Sequence, residues 1–194
     1  MKRTNPLCLA LAALATMMVT TTYSDSDHDG AVQSQPGSNI WNQAHEPTNW
    51  WNDIKDLHGH VGPWNVLGWR MGKAALLELN STWGQHELDV VCHIPMETPY
   101  SCIADGLVVG TGNSIGRLDI RLAEVLSVSD LHVSARRKDG TGPVLLIRPN
   151  EKYLEKIRHA PDAQLESLAH ACVELPEAEL FTIEKAPLSA ANSK

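Results

Sequence analysis

Gly68 and Gly72 stand four residues apart in a segment, Pro63 to Leu79, whose apolar residues Leu67, Met71, Ala74 and Ala75 recur at three- and four-residue spacing. That periodicity predicts a helix over 63–79 and puts both glycines on one stripe of it. Each glycine costs a helix about 1 kcal/mol relative to alanine. Small residues at this interval let another backbone approach closely, and such packing is the first of several roles the stripe can have. Pro63 suits the first helical turn, where its missing N–H costs nothing. Asn80, Ser81, Thr82 and Gly84 end the helix.

The rest of the pattern mixes helices with strands. His86 to Met96 reads as a buried strand, carried by Leu88, Val90, Val91 and Ile94, with Pro95 and Pro99 bracketing its exit. Tyr100 to Val109 reads as a second helix with Cys102 and Asp105 on one face. Thr111 to Gly116 follows as a glycine-bearing turn whose amides can meet an anion or a ligand closely, although no lysine or strand–helix context supports a phosphate loop. Beyond Leu118 the pattern becomes antiparallel: Val128 to Arg136 and Val144 to Arg148 are strand-like, joined as a hairpin through Lys138 to Gly142. Residues 150–172 read as helical, and Leu180, Phe181 and Ile183 as a short closing strand. The expected fold class is α+β, a single domain with a mostly antiparallel sheet packed by helices.

At the N-terminus, Lys2 and Arg3 precede an apolar run from Leu7 to Val19 that is short for a membrane span and shaped like a signal peptide over residues 1–23. No A-x-A site is visible around Thr20 to Ser24, which keeps an uncleaved anchor open, and Cys8 lies inside the run, against lipoprotein processing. Residues 24–39, rich in Ser, Asp, Gly and Gln, read as a disordered linker. Its Asp25, Asp27 and Asp29 resemble half a calcium loop, but no glutamate follows at the EF-hand spacing. The folded domain is expected over 40–185, with 186–194 a polar tail. Without residues 1–23 the formal charge falls from −7 to −9, since only Lys2 and Arg3 are lost. That balance argues against nucleic acid as a partner and suits an exported domain, periplasmic or extracellular, with no membrane span in its mature form. Cys92, Cys102 and Cys172 remain, so at least one is unpaired, liganded or intermolecular. Pairing of Cys92 with Cys172 would leave Cys102 free.

His58, Gly59, His60, Val61, Gly62 and Pro63 carry the strongest chemical suggestion. In an extended segment alternate side chains share a face, so His58 and His60 would project together. Neutral imidazoles ligate zinc, copper, nickel or iron, but further ligands must come from elsewhere in the fold. Trp41, Trp50 and Trp51 crowd the approach to the pair and need apolar cover, while Trp64 and Trp69 read as core. Trp50, Trp51 and Trp64 flank the motif and could also wall a pocket for a planar ligand. Strand histidines His93 and His132 could reach the same pocket; His45, His86, His159 and His170 read as surface residues.

From about Trp51 to Lys185 the chain resembles the FmdE family, named for the E subunit associated with formylmethanofuran dehydrogenase. Four motifs in order carry the resemblance: His58 to Pro63 against His-Gly-His-x-Cys-Pro, Cys102 to Asp105 against Cys-x-x-Asp, Thr111 to Gly116 against Thr-Gly-Cys-Thr-x-Gly, and Pro176 to Phe181 against Pro-x-x-x-Leu-Phe. Gly62 and Asn113 replace two cysteines of that pattern, and the zinc ribbon of some members is missing. The resemblance implies a metal site from His58, His60, Cys102 and Asp105, holding zinc or another borderline ion, with Asp105 as a ligand or as the group orienting an imidazole. Asn113 as a neutral oxygen donor, Trp64 and His132 are the further candidates for ligand binding. The implied function is a metal- or metal-ligand-binding protein, with a homodimer as the family's tendency. Two alternatives stand beside it: a metal-dependent hydrolase of a small formyl or amide compound with Asp105 as base, and a structural or partner-binding domain without a working site.

Overall fold

α2 (Pro63–Glu78) runs through the middle of the domain, buried on nearly every side. Gly62 is its N-cap and Pro63 its first residue, as the sequence predicts. With no side chain on the cap, Asn65 does that work in reverse: its Oδ1 accepts the Gly62 N–H at 2.9 Å, and its Nδ2 donates to the His60 carbonyl at 3.3 Å. One buried amide thus ties the approaching loop to the helix it enters. The computed structural model describes residues 46–187, so the signal peptide, the linker, the fold's expected start at Ile40 and the tail from 188 lie outside the described residues.

α3 (Cys102–Thr111) packs against α2 backbone to backbone. A Cβ placed on Gly68 would lie 2.1 Å from the Ile103 carbonyl oxygen, and one on Gly106 would lie 1.9 Å from the Asn65 carbonyl oxygen. At Gly110 the nearest atom would be the Trp69 carbonyl oxygen, 2.6 Å away. The predicted stripe of Gly68 and Gly72 is therefore a packing stripe, and Gly106 and Gly110 answer it from α3.

Among the described residues five strands form one mixed sheet in the order β2-β1-β3-β4-β5: β1 (Leu88–Ile94), β2 (Ile120–Glu124), β3 (His132–Arg137), β4 (Val144–Pro149) and β5 (Phe181–Ala186). β1 and β2 are parallel with α3 as their crossover; every other pair is antiparallel. Leu88, Val90, Cys92 and Ile94 on one face of β1 join Leu67, Met71, Ile103 and Leu107 in a single buried core. This is the expected α+β domain, with three local differences. β2 is a parallel edge strand in a stretch read as leading into antiparallel structure. Val128–Asp130 is a 3-10 turn, and β3 begins only at His132. The expected continuous helix over 150–172 is two, α4 (Glu151–Arg158) and α5 (Leu165–Glu174), because Pro161 lacks an N–H and disfavours a helical residue before it.

α1 (Trp50–His58) precedes α2 and is held by stacking: Trp50 lies on Trp69 with ring centroids 3.8 Å apart, and Trp51 on His170 of α5 at 4.2 Å. Arg70 of α2 donates to the Cys172, Val173 and Leu175 carbonyls, satisfying the C-terminal end of α5. α6 (Glu177–Leu180) leads into β5. Cys92, Cys102 and Cys172 are free thiols. Burial pushes the Cys92 thiol up to about 12 and that of Cys172 up to about 11.

Gly106→Ala should lower stability by about 3 kcal/mol or more in denaturant unfolding, since backbone atoms on both helices must separate. Gly116→Ala, whose Cβ would meet nothing within 4 Å, should change it by less than about 0.5 kcal/mol. Equal effects would dismiss the glycine contact as the seam of the domain.

Candidate functional site

His58 is the last residue of α1, and Gly59 ends that helix in the left-handed region at φ 92°, its N–H donating to the Lys55 carbonyl at 2.8 Å. The His58–His60 segment is thus a helix exit rather than the extended stretch the sequence suggested. The outcome for the side chains is similar, because the turn at Gly59 reverses the chain and brings the two imidazoles to 4.7 Å between centroids. Only glycine takes that φ readily, which accounts for the residue between the histidines.

Asp105, in the first turn of α3, meets His58 from across the glycine seam: its Oδ2 lies 2.7 Å from Nδ1. A carboxylate accepts, so this bond puts the proton on Nδ1 and leaves the Nε2 lone pair of a neutral ring available. His58, His60, Trp64 and Cys102 line a cavity of about 200 Å³, closed on its other side by Arg158 and Leu165. A second cavity, of about 480 Å³, adjoins it and shares His60, Asp162 and Leu165. Trp64 is buried, edge-on to Tyr100 at 5.2 Å, so it is both core and cavity wall.

Burial, with the Asp105 charge adding to it, pushes the Cys102 thiol up from its ordinary range, so at neutral pH it is protonated. Among the described residues no group of three or more His, Cys, Asp and Glu side chains is arranged to hold a metal ion. The donors as they stand are two imidazoles and a thiol, with Asp105 already engaged as the partner of His58. Two imidazoles and a sulfur suit zinc and its borderline neighbours in chemistry.

The remaining candidates lie elsewhere. Asn113 is buried beyond the C-terminal end of α3, opposite the end that carries Cys102, and α3 spans ~15 Å. Its Nδ2 donates to the Leu88 carbonyl at 3.1 Å, which ties the turn to β1. His132 sits on β3 against His93 of β1, and neither lines the cavity. His86, read as a surface residue, is almost covered and bonds to the buried Asp119 at 2.8 Å. Sequence reasoning missed Asn65, Arg158 and Asp162. The last two belong to the α4–α5 break, for which Pro161 was the available signal. The Nε of Arg158 is buried without a hydrogen-bond partner, beside the cavity its side chain lines.

Gly62 is the departure that bears on the site. Its backbone is extended, at φ −131° and ψ 172°, as any residue can adopt. A Cβ there would lie 3.6 Å from His60 Nε2, an ordinary contact, so position 62 points at the imidazole with room for a side chain.

No curated protein matches the chain at a significant level. The model of one family, described as FmdE, Molybdenum formylmethanofuran dehydrogenase operon, matches residues 57–182. That match begins one residue before His58 and closes one residue after Phe181, so it takes in all four motifs and every residue lining the smaller cavity, while Trp51 and Lys55 of the larger one precede it. The chain belongs to the FmdE family.

Proposed function

We propose that this chain is an exported metal- or metal-ligand-binding protein whose site is built on His58 and His60. The observation that carries the reading is the Asp105–His58 bond beside the shared cavity. A carboxylate holding the far nitrogen of an imidazole is how metal-ligating histidines are commonly oriented. His58 and His60 would hold the ion, zinc being the best fit, and Cys102 would join them once its proton is lost. The bound ion would supply a Lewis acid with a position open to an incoming donor. Trp64 excludes water from one wall, and Arg158 places positive charge where an anionic co-ligand would sit.

Engagement of Asp105 with His58 favours a binder over a hydrolase, because the carboxylate that would act as base is already occupied. Export rests on Lys2, Arg3 and the apolar run from Leu7 to Val19; among the described residues no helix is long and apolar enough to cross a membrane. The family's tendency to dimerise extends to this chain as part of the same proposal, and sedimentation reads it directly.

The purified full chain should take up zinc, copper, nickel or iron in titration, and failure with all four would end the reading. His58→Ala and Asp105→Asn should each weaken uptake by roughly 10- to 100-fold. Because Cys102 must give up a proton to ligate, affinity in the native chain should rise with pH, and Cys102→Ser should flatten that rise. A slope that the substitution leaves unchanged would remove Cys102 from the site.

Gly62→Cys should tighten metal uptake by about tenfold or more, since it adds a thiol facing His60 without a clash. Dialysis against a chromogenic chelator measures it. Unchanged affinity, with native melting behaviour, would place the ion away from His60.

A further inference from the structure

We propose that His93 and His132 form a second site, separate from the His58–His60 cavity, where two imidazoles chelate a divalent borderline cation such as copper(II). The two residues are direct partners in the antiparallel β1–β3 pair. Their rings stand 4.1 Å apart between centroids and within 8° of parallel. On β1, His93 lies on the face of Asp89 and Val91, opposite the core face of Val90, Cys92 and Ile94.

Two further contacts prepare the rings as ligands. His132 Nδ1 lies 2.7 Å from the Asp130 carbonyl oxygen, which can only accept. The proton is therefore on Nδ1, and the lone pair of the neutral ring is on Nε2. This outer bond to a backbone carbonyl is the usual companion of a metal-ligating histidine. His93 Nε2 lies 3.2 Å from Ser134 Oγ, a hydroxyl that can donate or accept and so can turn away when a cation arrives.

The strands supply what two loose surface histidines lack. Both Cα atoms are fixed by the β-ladder, so closing a chelate needs no backbone movement, only side-chain rotation that tilts the two stacked rings toward one ion. Copper(II), nickel(II) and zinc accept two imidazoles and fill their remaining positions with water. Arg148 opposes the added positive charge, and an anion taken up with the cation would relieve it.

The test is copper(II) titration of the full chain at neutral pH, read by calorimetry and by nitrogen hyperfine structure in electron paramagnetic resonance. One copper equivalent should weaken at least tenfold in His93→Gln and in His132→Gln, and the loss in the double variant should fall short of the product of the two single losses, as one shared ion requires. Gly116→Ala, which keeps both imidazoles and whose added methyl meets nothing within 4 Å, should retain that equivalent and serves as the folded control. Unchanged binding in both single variants overturns the proposal, as do losses that multiply in the double variant, which would mean two independent single-imidazole contacts. Uptake sensitive to His58→Ala should be untouched by His93→Gln. A copper equivalent lost only with His93 or His132, in a chain that takes no metal at His58, would sustain this site while removing the first.

Discussion

Contact between the backbones of α2 and α3 is what the site depends on. Glycine at 68, 72, 106 and 110 removes the side chains that ordinarily keep helix axes 8–10 Å apart. With Gly106 against the Asn65 carbonyl and Gly68 against the Ile103 carbonyl, the N-terminal turns of the two helices lie side by side. The loop carrying His60 enters α2 at that end, and Cys102 and Asp105 occupy the first turn of α3. A seam built of missing side chains therefore decides which functional side chains can meet. An added methyl at Gly106 would cost stability and would also part Asp105 from His58.

Local hydrogen bonds then set the direction of each group within that frame. Asn65 holds the His60 carbonyl and the Gly62 amide together, so the loop cannot rotate independently of α2. Gly59 turns the chain at the end of α1, and the stacked pair of Trp50 and Trp69 keeps α1 against α2. Asp105 fixes the tautomer of His58. Each restraint comes from a different element, and the cavity is where they converge. Its last wall is the α4–α5 junction, where Arg158 ends α4, Asp162 lies between the helices and Leu165 begins α5.

Much of this was legible in the sequence, and the illegible parts share a cause. Periodicity gave α2 within one residue and marked Gly68 and Gly72 as a contact stripe. It could not pair them with Gly106 and Gly110, because helix partners are a tertiary fact and glycine contributes no hydrophobic signal of its own. The α+β class and the hairpin of β3 and β4 followed from alternation, whereas β2 escaped because it is a five-residue edge strand that buries Ile120 alone and carries Arg121 and Glu124 exposed. Alternation also misassigned His58: two side chains can share a side through a helix exit as well as through a strand, and only the φ of Gly59 distinguishes them. The expected helix over 150–172 runs straight through Pro161, the one residue in the stretch whose missing N–H marks the α4–α5 break.

Gly62 and Asn113 look alike in sequence, as two motif cysteines replaced, yet the structure gives them different consequences. Position 113 lies at the far end of α3 from Cys102, where the amide it now carries satisfies the Leu88 carbonyl at the head of β1. That replacement exchanges a thiol for a hydrogen bond in the scaffold and takes nothing from the cavity. Position 62 faces His60 Nε2 across an ordinary contact distance, so glycine there removes a donor and leaves space beside the imidazole. On the proposed metal-binding reading, only one of the two replacements bears on the cavity, and the space beside Gly62 adjoins a larger cavity that shares His60, Asp162 and Leu165. An ion held by His58 and His60 could take its missing donor from a small molecule entering through that space. A cysteine at 62 would compete with such a molecule for the same position, which links the identity of this one residue to whether the protein binds an ion or an ion together with its ligand.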